Sequence, residues 1–390
     1  MKTVLILDAN QRSALAVTRS LGSRGVSIIT ADDSQTTLSG CSRYSKQYFS
    51  YPSPRLHPEQ FIFAIAELCK KENINIVFPM TELTTNLLLN HQHALPGVTL
   101  PFPDINTVDA LANKYALMHL ADSLDIPIPN TWYAASPENL PVELHMLNYP
   151  LVLKPGKSWL EYQGEWLHTT VSFAGTVDAA TDILKNDPAF RSHPFMLQEC
   201  VPGKGEGIFA LYDKGKPLAF FAHKRLREKP PRGGVSVLSE STAVNSKLLS
   251  YTQALLGHVG WHGIAMVEFK VSNVGTPYLM EINTRFWGSL QLAIDAGVDF
   301  PWLLYQISCG EKITPLKSYK RGKRLRWILG DLDCLYLTLR DKEFSFMDKS
   351  RAVLHFLLPR PFKTRHEVNR LGDLGPFWWE LKQYLKDLKK

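Results

Sequence analysis

The sequence lacks the features that mark secreted, membrane-spanning or metal-thiolate proteins. Its five cysteines, at positions 41, 69, 200, 309 and 334, include no pair at CxxC spacing, so neither a zinc site nor a redox couple is indicated. We therefore expect a reducing, cytoplasmic compartment. The first apolar run ends at Asp8, too early for a signal peptide, and no later run approaches the ~20 residues of a spanning helix.

The first turn of the chain also lacks glycine. The segment from Asp8 to Ser13 contains none, whereas a dinucleotide site needs glycines so that the backbone can approach the pyrophosphate. NAD binding is therefore not expected. We interpret Asp32, which follows the second predicted strand, as a solvated or capping residue.

An excess of positive charge is confined to one end of the chain. Residues 317–390 contain 18 Lys and Arg against 9 Asp and Glu, although the net charge of the whole chain is only +7. Residues 1–316 are therefore close to neutral, and their charge does not support nucleic-acid binding. The basic character belongs to a C-terminal extension.

Short apolar runs alternate with helical patterns over the first ~100 residues, which is typical of a parallel sheet wrapped by helices. The pattern predicts strands over 4–7, 26–31 and 74–78 and helices over 14–23 and 58–72. A further helix is predicted over 109–124, ended by Pro127 and Pro129. The region to residue 316 is rich in strands, with hairpin turns expected at 213–216 and 273–276.

Two carboxylates are predicted to face each other on the second of these hairpins. If Ser272 pairs with Pro277, antiparallel pairing places Glu268 opposite Glu281, where like charges destabilise a sheet unless something neutralises them. Asn283 lies on the same face as Glu281 because strand side chains alternate. Two carboxylates, one amide and phosphate oxygens suit Mg²⁺. The alternative is a solvated hairpin edge, which the apolar neighbours of Glu281 disfavour.

These residues resemble the metal-binding segment of the ATP-grasp superfamily, and three further segments resemble its motifs in the same order. Residues 113–131 look like the helix with the first ATP lysine, 150–155 like the strand with the second, and 198–207 like the adenine hinge and the ribose-binding acid. Similarity to predicted carboxylate-amine ligases of this superfamily covers residues 1 to ~310.

The resemblance implies a multidomain fold of α/β and α+β parts. Residues 1–105 would form a Rossmann-like domain that precedes the ATP-grasp domain of residues 106–316. That domain would comprise two α+β subdomains, 110–200 with the ATP lysines and 201–316 with the metal site. Residues 317–390 would form the basic C-terminal extension.

The resemblance also implies a set of ATP and Mg²⁺ ligands, with Mn²⁺ as an alternative metal. Lys114 and Lys154 would bind phosphates, and Lys157 is the candidate within a loop, 156–164, that is bulky and aromatic here instead of rich in Gly and Ser. The metal ligands would be Glu268, Glu281 and Asn283. Adenine and ribose would be bound by Gln198, Glu199, Cys200, Val201 and Glu206, with the backbone of 199–201 reading the adenine edge.

Catalytic and substrate residues are predicted from two sets of side chains. A cationic cluster at 223–234 would face the transferred phosphoryl group, with Arg225 and Arg232 as candidates beside Arg285, because guanidinium binds carboxylate and phosphate bidentately. The alternative for this cluster is a basic surface loop. The substrate candidates are Thr81, Glu82, Gly233 and Gly234, although Glu82 could instead cap the helix that follows it.

The implied reaction activates a carboxylate as an acyl phosphate and joins it to an amine, with release of ADP and phosphate. Small-molecule acids and amines are the expected partners. A kinase, a carboxylase acting on bicarbonate and a nucleotide-binding module without turnover stay open. For the extension, we expect Trp378, Trp379 and Leu385 to pack on the body of the enzyme, with weak contact to an anionic membrane or an acidic partner as the alternative.

Overall fold

A four-stranded parallel sheet opens the fold. The computed structural model describes residues 2–162, 164–231, 234–358 and 364–389. The strands run in the order β3-β2-β1-β4, which confirms the predicted parallel sheet. The elements are β1 (Thr3–Ile6), α1 (Arg12–Gly22), β2 (Ser27–Asp32), β3 (Gln47–Ser50), α2 (Pro58–Lys71), β4 (Ile76–Phe78) and α3 (Glu82–Asn90). Every residue of β4 is buried.

The single helix predicted over 109–124 is wrong, because the chain forms two helices with a break at Asn113. These are α4 (Ile105–Ala112) and α5 (Lys114–Ser123). Asn113 has an extended conformation, and its side chain accepts hydrogen bonds from the amides of Tyr115 (3.0 Å) and Ala116 (3.4 Å). An asparagine cap starts a new helix in this way, and it makes Lys114 the first residue of α5.

A four-stranded antiparallel sheet follows, in the order β5-β10-β6-β9, beside a separate hairpin of β7 and β8. The hairpin occupies the expected flap loop and turns at Gly164, whose φ is +82°. Gln163 lies outside the described residues. The elements are β5 (Thr131–Ala134), β6 (Leu151–Pro155), β7 (Trp159–Tyr162), β8 (Glu165–His168), β9 (Ser172–Ala174), α6 (Val177–Asn186), α7 (Pro188–Arg191) and β10 (Phe195–Glu199).

The largest sheet has seven strands, in the order β15-β14-β11-β12-β13-β16-β17. The turn predicted at 213–216 is confirmed, and its central residues Lys214 (φ +47°) and Gly215 (φ +81°) are both left-handed, as a tight hairpin requires. The elements to residue 326 are β11 (Gly203–Asp213), β12 (Lys216–Lys229), β13 (Val235–Ser241), α8 (Ser246–His258), β14 (Gly263–Ser272), β15 (Pro277–Asn283), α9 (Leu290–Ala296), α10 (Phe300–Ser308) and β16 (Arg324–Arg326).

The C-terminal residues add two strands and three helices to this body. They form β16 and then α11 (Ile328–Arg340), α12 (Phe346–Leu357), β17 (Thr364–His366) and α13 (Gly375–Asp387). Arg19 of α1 anchors the segment, because its guanidinium binds Asp373 at 2.8 Å and the carbonyls of Glu367 and Val368. The extension is therefore in direct contact with the first helix of the chain.

The expected packing of the C-terminal aromatics is only partly correct. Trp379 packs against a small cluster containing Val368 and donates to Thr36 Oγ1 at 3.2 Å. Trp378 and Leu385, by contrast, are 60% and 51% exposed, because they lie on the side of α13 that points away from this cluster.

Hydrophobic clusters join the sheets across the predicted domain boundaries. One cluster combines Val4 and Ile6 of β1 with Phe209, Phe221 and other residues of the seven-stranded sheet. The proposed boundaries at 105 and 316 therefore stay predictions. No helix within the described residues combines the length and the apolar composition needed to cross a membrane.

Candidate active site

Glu268 of β14 lies directly opposite Glu281 of β15, as predicted, but the register is reached differently. Val271, not Ser272, pairs with Pro277, and a bulge between Glu268 and Phe269 restores the alignment. The side chains of Glu268 and Glu281 are 23% and 35% exposed, so both carboxylates are half-buried. Two like charges therefore face each other in a partly desolvated position.

Asn283 connects the two carboxylates. Its Nδ2 lies 3.2 Å from Glu268 Oε1 and 3.4 Å from Glu281 Oε1. Burial raises the pKa of Glu268, and the charge of Glu281 raises it further against the opposing effect of Arg225. Burial also acts to raise the pKa of Glu281, but the ammonium charges of Lys114 and Lys154 bring it below its ordinary value.

Two buried lysines lie near these carboxylates, on the side of the site that the four-stranded antiparallel sheet forms. Lys114 Nζ lies 3.5 Å from Glu281 Oε2 and 3.4 Å from Ser158 Oγ, and the amide of Lys114 donates to the carbonyl of Gly156 at 2.7 Å. Lys154 on β6 is 7% exposed. Burial lowers the pKa of Lys154 to about 8, with Glu281 opposing that change and Lys114 adding to it. The two motif lysines thus meet at Glu281.

Lys157, the third lysine candidate, has a different partner. Its Nζ lies 2.7 Å from Asp109 Oδ2, and both side chains are about one-third exposed. An ion pair this exposed is weak, so it can open for another anion. In this structure, however, Lys157 binds α4 and not the carboxylates.

The hinge residues lie at the end of β10. Gln198 is buried, and its Nε2 donates to Thr131 Oγ1 at 2.9 Å. The amide of Glu199 donates to the carbonyl of Asn130 at 3.0 Å, so this amide is engaged inside the protein and not presented to a ligand. Cys200 and Val201 follow the strand and are partly exposed.

Glu206 lies on the other face of the seven-stranded sheet from the carboxylates. Gly207 pairs with Glu268 and Glu206 pairs with Phe269, and side chains of neighbouring strand residues point to opposite faces. Glu206 lines a cleft of about 870 Å³ that also includes Lys204 and Arg225. That cleft is the larger one, but Glu268, Glu281 and Asn283 line the smaller pocket described next and not this cleft, so we assign the metal site to the smaller pocket.

A pocket of about 420 Å³ surrounds the carboxylates, and we call it the Glu268 pocket. Arg225 lies in its wall with Nη2 2.9 Å from Glu268 Oε2 and Nη1 3.2 Å from Glu228 Oε1. Arg285 is also in the wall, and Gly234 lines the same pocket. Arg232 and Gly233, the other candidates from this segment, lie outside the described residues.

Residues 223–229 of the cationic cluster are part of strand β12 and not the surface loop of the alternative interpretation. Arg227 binds Asp331 of α11 through two contacts of 2.6 Å, and Lys229 binds Asp333. These two cations therefore hold the C-terminal extension. His223 of the same strand is buried, which together with Arg225 lowers its pKa to about 3, so the imidazole in the pocket wall is neutral.

The substrate candidates of the first sheet have structural roles. Thr81 caps α3 by accepting from the amide of Thr84 at 3.3 Å, and its own amide donates to Asp8 at 2.9 Å. Glu82 is the first residue of α3, and neither it nor Thr81 lines the Glu268 pocket. Asp32 is not solvated, because it is 5% exposed and accepts from the amides of Asn10 and Ser34.

Two residues of the glycine-free first turn were missed as site candidates. Gln11 and Arg12 line the Glu268 pocket, although more than 250 residues separate them from Glu268. The one sequence feature that could have indicated them is a cation at the carboxyl end of the first parallel strand, where ligands of open α/β sheets bind.

The donor set fits a hard divalent cation that is shared with phosphate oxygens. Glu268, Glu281 and Asn283 provide only oxygen ligands once the amide of Asn283 turns its oxygen inward. Within the described residues, no group of three or more His, Cys, Asp or Glu side chains forms a complete metal site. Mg²⁺ commonly takes one or two carboxylates and completes its shell with water and phosphate oxygens, which is what this pair offers.

Comparison with known proteins gives the fold of most of the chain and a family match over part of it. Residues 191–330 match the model of a family described as ATP-grasp in the biosynthetic pathway with Ter operon. No curated protein sequence matches the chain.

Several solved structures share the architecture. An L-amino acid ligase from Bacillus licheniformis is 16% identical with a TM-score of 0.63, over 80% of this chain and 75% of the ligase. A biotin carboxylase from Campylobacter jejuni is 13% identical with a TM-score of 0.65, over 83% and 74%. An N5-carboxyaminoimidazole ribonucleotide synthetase from Thermus thermophilus is 16% identical with a TM-score of 0.59, over 83% and 81%.

Identities this low show a common fold and nothing about substrates. The family match, however, covers the hairpin on which Glu268, Glu281 and Asn283 face one another. Residues 191–330 are thus similar to an ATP-grasp family, and most of the chain shares its fold with these solved structures.

Proposed function

We propose that the chain is an ATP-dependent carboxylate-amine ligase that forms an acyl phosphate and then an amide. The observation that supports this most directly is the meeting of Lys114, Lys154 and Glu281 in front of Glu268. Cations that bind phosphate, and carboxylates that bind a metal, are thus gathered around one point. Phosphoryl transfer needs positioning and charge neutralisation and no enzyme nucleophile.

Glu268, Glu281 and Asn283 would hold Mg²⁺, or Mn²⁺ in its place. When bound, Mg²⁺-ATP supplies the phosphoryl group and neutralises the charge that moves with it. Arg225, which pairs with Glu268 in this structure, would be released by the cation and would turn to the acid substrate. The Arg225–Glu268 ion pair would thus keep a guanidinium next to the place where it is needed.

Lys114 and Lys154 would bind the phosphates as point charges, a task suited to lysine. Lys157 would join them on leaving Asp109. The backbone of Glu199, Cys200 and Val201, beside Gln198, would accommodate the adenine, although the Glu199 amide must first leave the Asn130 carbonyl. Glu206 would bind the ribose only if the ribose lies at the edge of the strand. The Glu206 side chain is on the opposite face of the sheet from Glu268.

The acid and the amine would meet in the Glu268 pocket. An oxygen of the carboxylate takes the γ-phosphoryl group and ADP leaves, and the amine nitrogen then attacks the acyl carbon while phosphate departs and the nitrogen loses a proton. Arg285 would stabilise the oxyanion that develops on the carbonyl oxygen as the amine attacks the acyl carbon. Arg232, Gly233 and Gly234 would border this step, whereas Thr81 and Glu82 stay substrate candidates without support from the pocket.

Three regions of the chain would each contribute to the proposed reaction. A Rossmann-like domain of residues 1–105 would contribute to the acid site, and residues 106–316 would enclose the nucleotide between two subdomains, 110–200 and 201–316. The near-neutral charge of residues 1–316 supports small-molecule substrates over nucleic acid.

The decisive experiment measures ADP and phosphate release by the purified chain with Mg²⁺-ATP and an equimolar pool of mono- and dicarboxylic acids, with and without pooled amines. Release that needs both pools, together with an amide product in mass spectra, is expected. Turnover that is independent of amine and yields a stable phosphoester would instead identify a kinase, and turnover with bicarbonate a carboxylase. Nucleotide binding without release under any of these conditions would identify a binding module.

A further inference from the structure

Arg12 connects the Glu268 pocket to the C-terminal extension. It is the first residue of α1 and lines the pocket, with its side chain only 14% exposed. A Cβ atom added at Gly288, in the loop after β15, would lie 3.2 Å from Arg12 Nη2. The guanidinium therefore approaches the backbone of the opposite pocket wall, where glycine leaves room for it.

Two residues of the extension hold this guanidinium from outside the pocket. Arg12 Nη1 lies 2.8 Å from Glu367 Oε2, and the Glu367 side chain is 4% exposed. The Arg12 guanidinium carbon lies 3.9 Å from the centre of the Trp327 ring, a cation–π geometry. One edge and one face of the guanidinium are thus occupied, and Nη2 remains next to the pocket.

We propose that Arg12 binds an anionic group of the acid substrate and that Glu367 and Trp327 position it for this task. The proposal rests on the proposed function. Arg12, Arg225 and Arg285 bring three guanidinium groups to one pocket, whereas its two carboxylates would be neutralised by a divalent cation. The guanidinium groups then give the pocket an excess of positive charge, and Nη2 of Arg12 lies next to it, which selects an anion.

The extension is thereby a working part of the site and not an appendage. Arg19, further along α1, binds Asp373 and two carbonyls of the same extension. The extension thus binds α1 at two positions, Arg12 and Arg19, and of these Arg12 lines the pocket.

The test compares Arg12→Gln, Arg12→Lys and Glu367→Gln with the control Arg370→Gln. Arg370 also joins the extension to the body, through contacts of 2.6 and 3.0 Å to Asp295, but it does not line the pocket. The substrate is the acid pool described above, and the measured quantities are kcat and the apparent KM values for the pool and for ATP.

Arg12→Gln should raise the apparent KM for the acid pool about tenfold or more, because a hydrogen bond to a charged group is lost, and leave the KM for ATP within about twofold. Arg12→Lys should recover part of the loss, Glu367→Gln should show a smaller increase, and Arg370→Gln none. A merely structural role would change both KM values together.

Binding of the pool without ATP provides a second measurement, followed as the shift of the unfolding midpoint at constant ionic strength. A shift in the wild type that Arg12→Gln loses supports the proposal. No shift in the wild type, or an equal shift in Arg12→Gln, overturns it. A chain that binds the pool through Arg12 but never releases ADP would refute the ligase and leave this anion site intact.

A second, independent observation concerns the outer face of the extension. Four of its acids, Asp331, Asp333, Glu367 and Asp373, pair with cations of the body, whereas Asp348 of α12 and Asp387 of α13 are exposed. The basic side chains that remain exposed on α11, α12 and α13 include Arg340, Arg351, Lys382 and Lys386, and Lys389 just after α13 is exposed too.

Large apolar side chains are exposed between these cations. α12 has no buried residue, and Phe346, Leu354 and Leu357, spaced to share a helix face, are 87%, 54% and 65% exposed. On α13, Trp378 and Leu385 are exposed on one stripe with Lys382. Exposed apolar patches of this kind mark interaction sites.

We infer that α12 and α13 bind an anionic lipid surface. Helices of 12 and 13 residues are too short to span a bilayer but long enough to lie on it, with apolar side chains below the headgroups and lysines at their level. The excess of exposed basic over acidic side chains on these helices supports an anionic lipid surface over a basic protein partner.

Co-sedimentation of the full chain with vesicles tests this inference. Binding to phosphatidylcholine vesicles that contain phosphatidylglycerol, and little binding to phosphatidylcholine alone, is expected, with a decrease as salt rises. The double variant Leu354→Ser/Trp378→Ser should lose most of the binding, and Phe63→Ser should not, although Phe63 of α2 is also 69% exposed. Absence of binding in the wild type, or an equal loss in Phe63→Ser, would overturn the inference and point to a protein partner or to none.

Discussion

Glu268 and Glu281 lie opposite each other on one hairpin, yet their pKa values shift in opposite directions. Glu281 is accompanied by Lys114 at 3.5 Å, whereas burial and the charge of Glu281 dominate at Glu268. The negative charge of Glu281 is thus neutralised by lysines. The negative charge of Glu268 is neutralised only in part, even though Arg225 is 2.9 Å away. A bound divalent cation would supply the missing positive charge.

Mg²⁺ together with a non-hydrolysable ATP analogue should therefore stabilise the protein. At a ligand concentration of about 100 times the dissociation constant, the free energy of unfolding should rise by about 2.7 kcal/mol. Glu281→Gln should lose most of this increase because a ligand charge is gone. Urea titration with and without the analogue measures it, and the exposed Glu311→Gln is the control. If the analogue and Mg²⁺ stabilise Glu281→Gln as much as the wild type, the carboxylate pair is not part of the metal site.

The position of this carboxylate pair could be predicted from the sequence. The predicted strand register, however, was wrong next to the turn and correct at the pair. The alternation of side chains and the turn at 273–276 indicated the partners, whereas the bulge beside Glu268 was not foreseen. Pairing shifts by one residue in the turn and returns at the bulge. Local patterns thus located the hairpin, but the alternation of side chains does not encode the position of a bulge.

Contacts between distant parts of the chain could not be predicted. Nothing in the sequence relates Arg12 to Glu367 and Trp327, because the pairing depends on how the extension folds back over α1. The break at Asn113, by contrast, was predictable, since an asparagine followed by a lysine and an apolar run is a helix start. The apolar periodicity on both sides of it concealed the break.

Binding of Mg²⁺-ATP should weaken at alkaline pH. Burial lowers the pKa of Lys154 to about 8, and only the charged ammonium attracts phosphate. The dissociation constant should be constant below about pH 7 and should rise above about pH 8, by at most about tenfold per pH unit. Lys154→Arg should remove this dependence because guanidinium stays charged.

Lys157→Arg is the matched control for that profile. Lys157 lies in the neighbouring hairpin region but is paired with Asp109, so its replacement should keep the alkaline weakening of the wild type. A flat profile in the wild type would mean that Lys154 does not bind the phosphates. Isothermal titration with an ATP analogue from mildly acidic to alkaline pH measures all three proteins.

Stability should also depend on pH through Asp32. Burial raises the pKa of Asp32 to about 6, above its unfolded value of about 3.9. The folded state thus retains a proton that the unfolded state loses, so the contribution of Asp32 is fully present below about pH 4 and is lost as pH rises through about 6. The difference corresponds to at most about 3 kcal/mol.

The side chain introduced by Asp32→Asn cannot ionise, so the stability of this variant should increase relative to that of the wild type as pH rises over this range. The free energy of unfolding of the variant, relative to the wild type, should increase by up to about 3 kcal/mol between about pH 4 and pH 7. Urea unfolding at several pH values measures the difference, and Asp33→Asn at the exposed neighbouring position is the control. A difference that stays constant with pH would show that Asp32 is ionised throughout.

Docking of the last helix should depend on the absence of a side chain at Gly375. A Cβ atom there would lie 2.0 Å from the carbonyl oxygen of Cys41, whereas at Gly372 it would meet nothing within 4 Å. Gly375→Ala should therefore lower the free energy of unfolding by about 1–3 kcal/mol, as overpacking does, and speed proteolysis of α13. Gly372→Ala, earlier in the same segment, should be close to neutral. Equal stability of the two variants would mean that α13 does not rest on the 37–43 segment, and the positioning of Arg12 by this extension would then lose part of its structural basis.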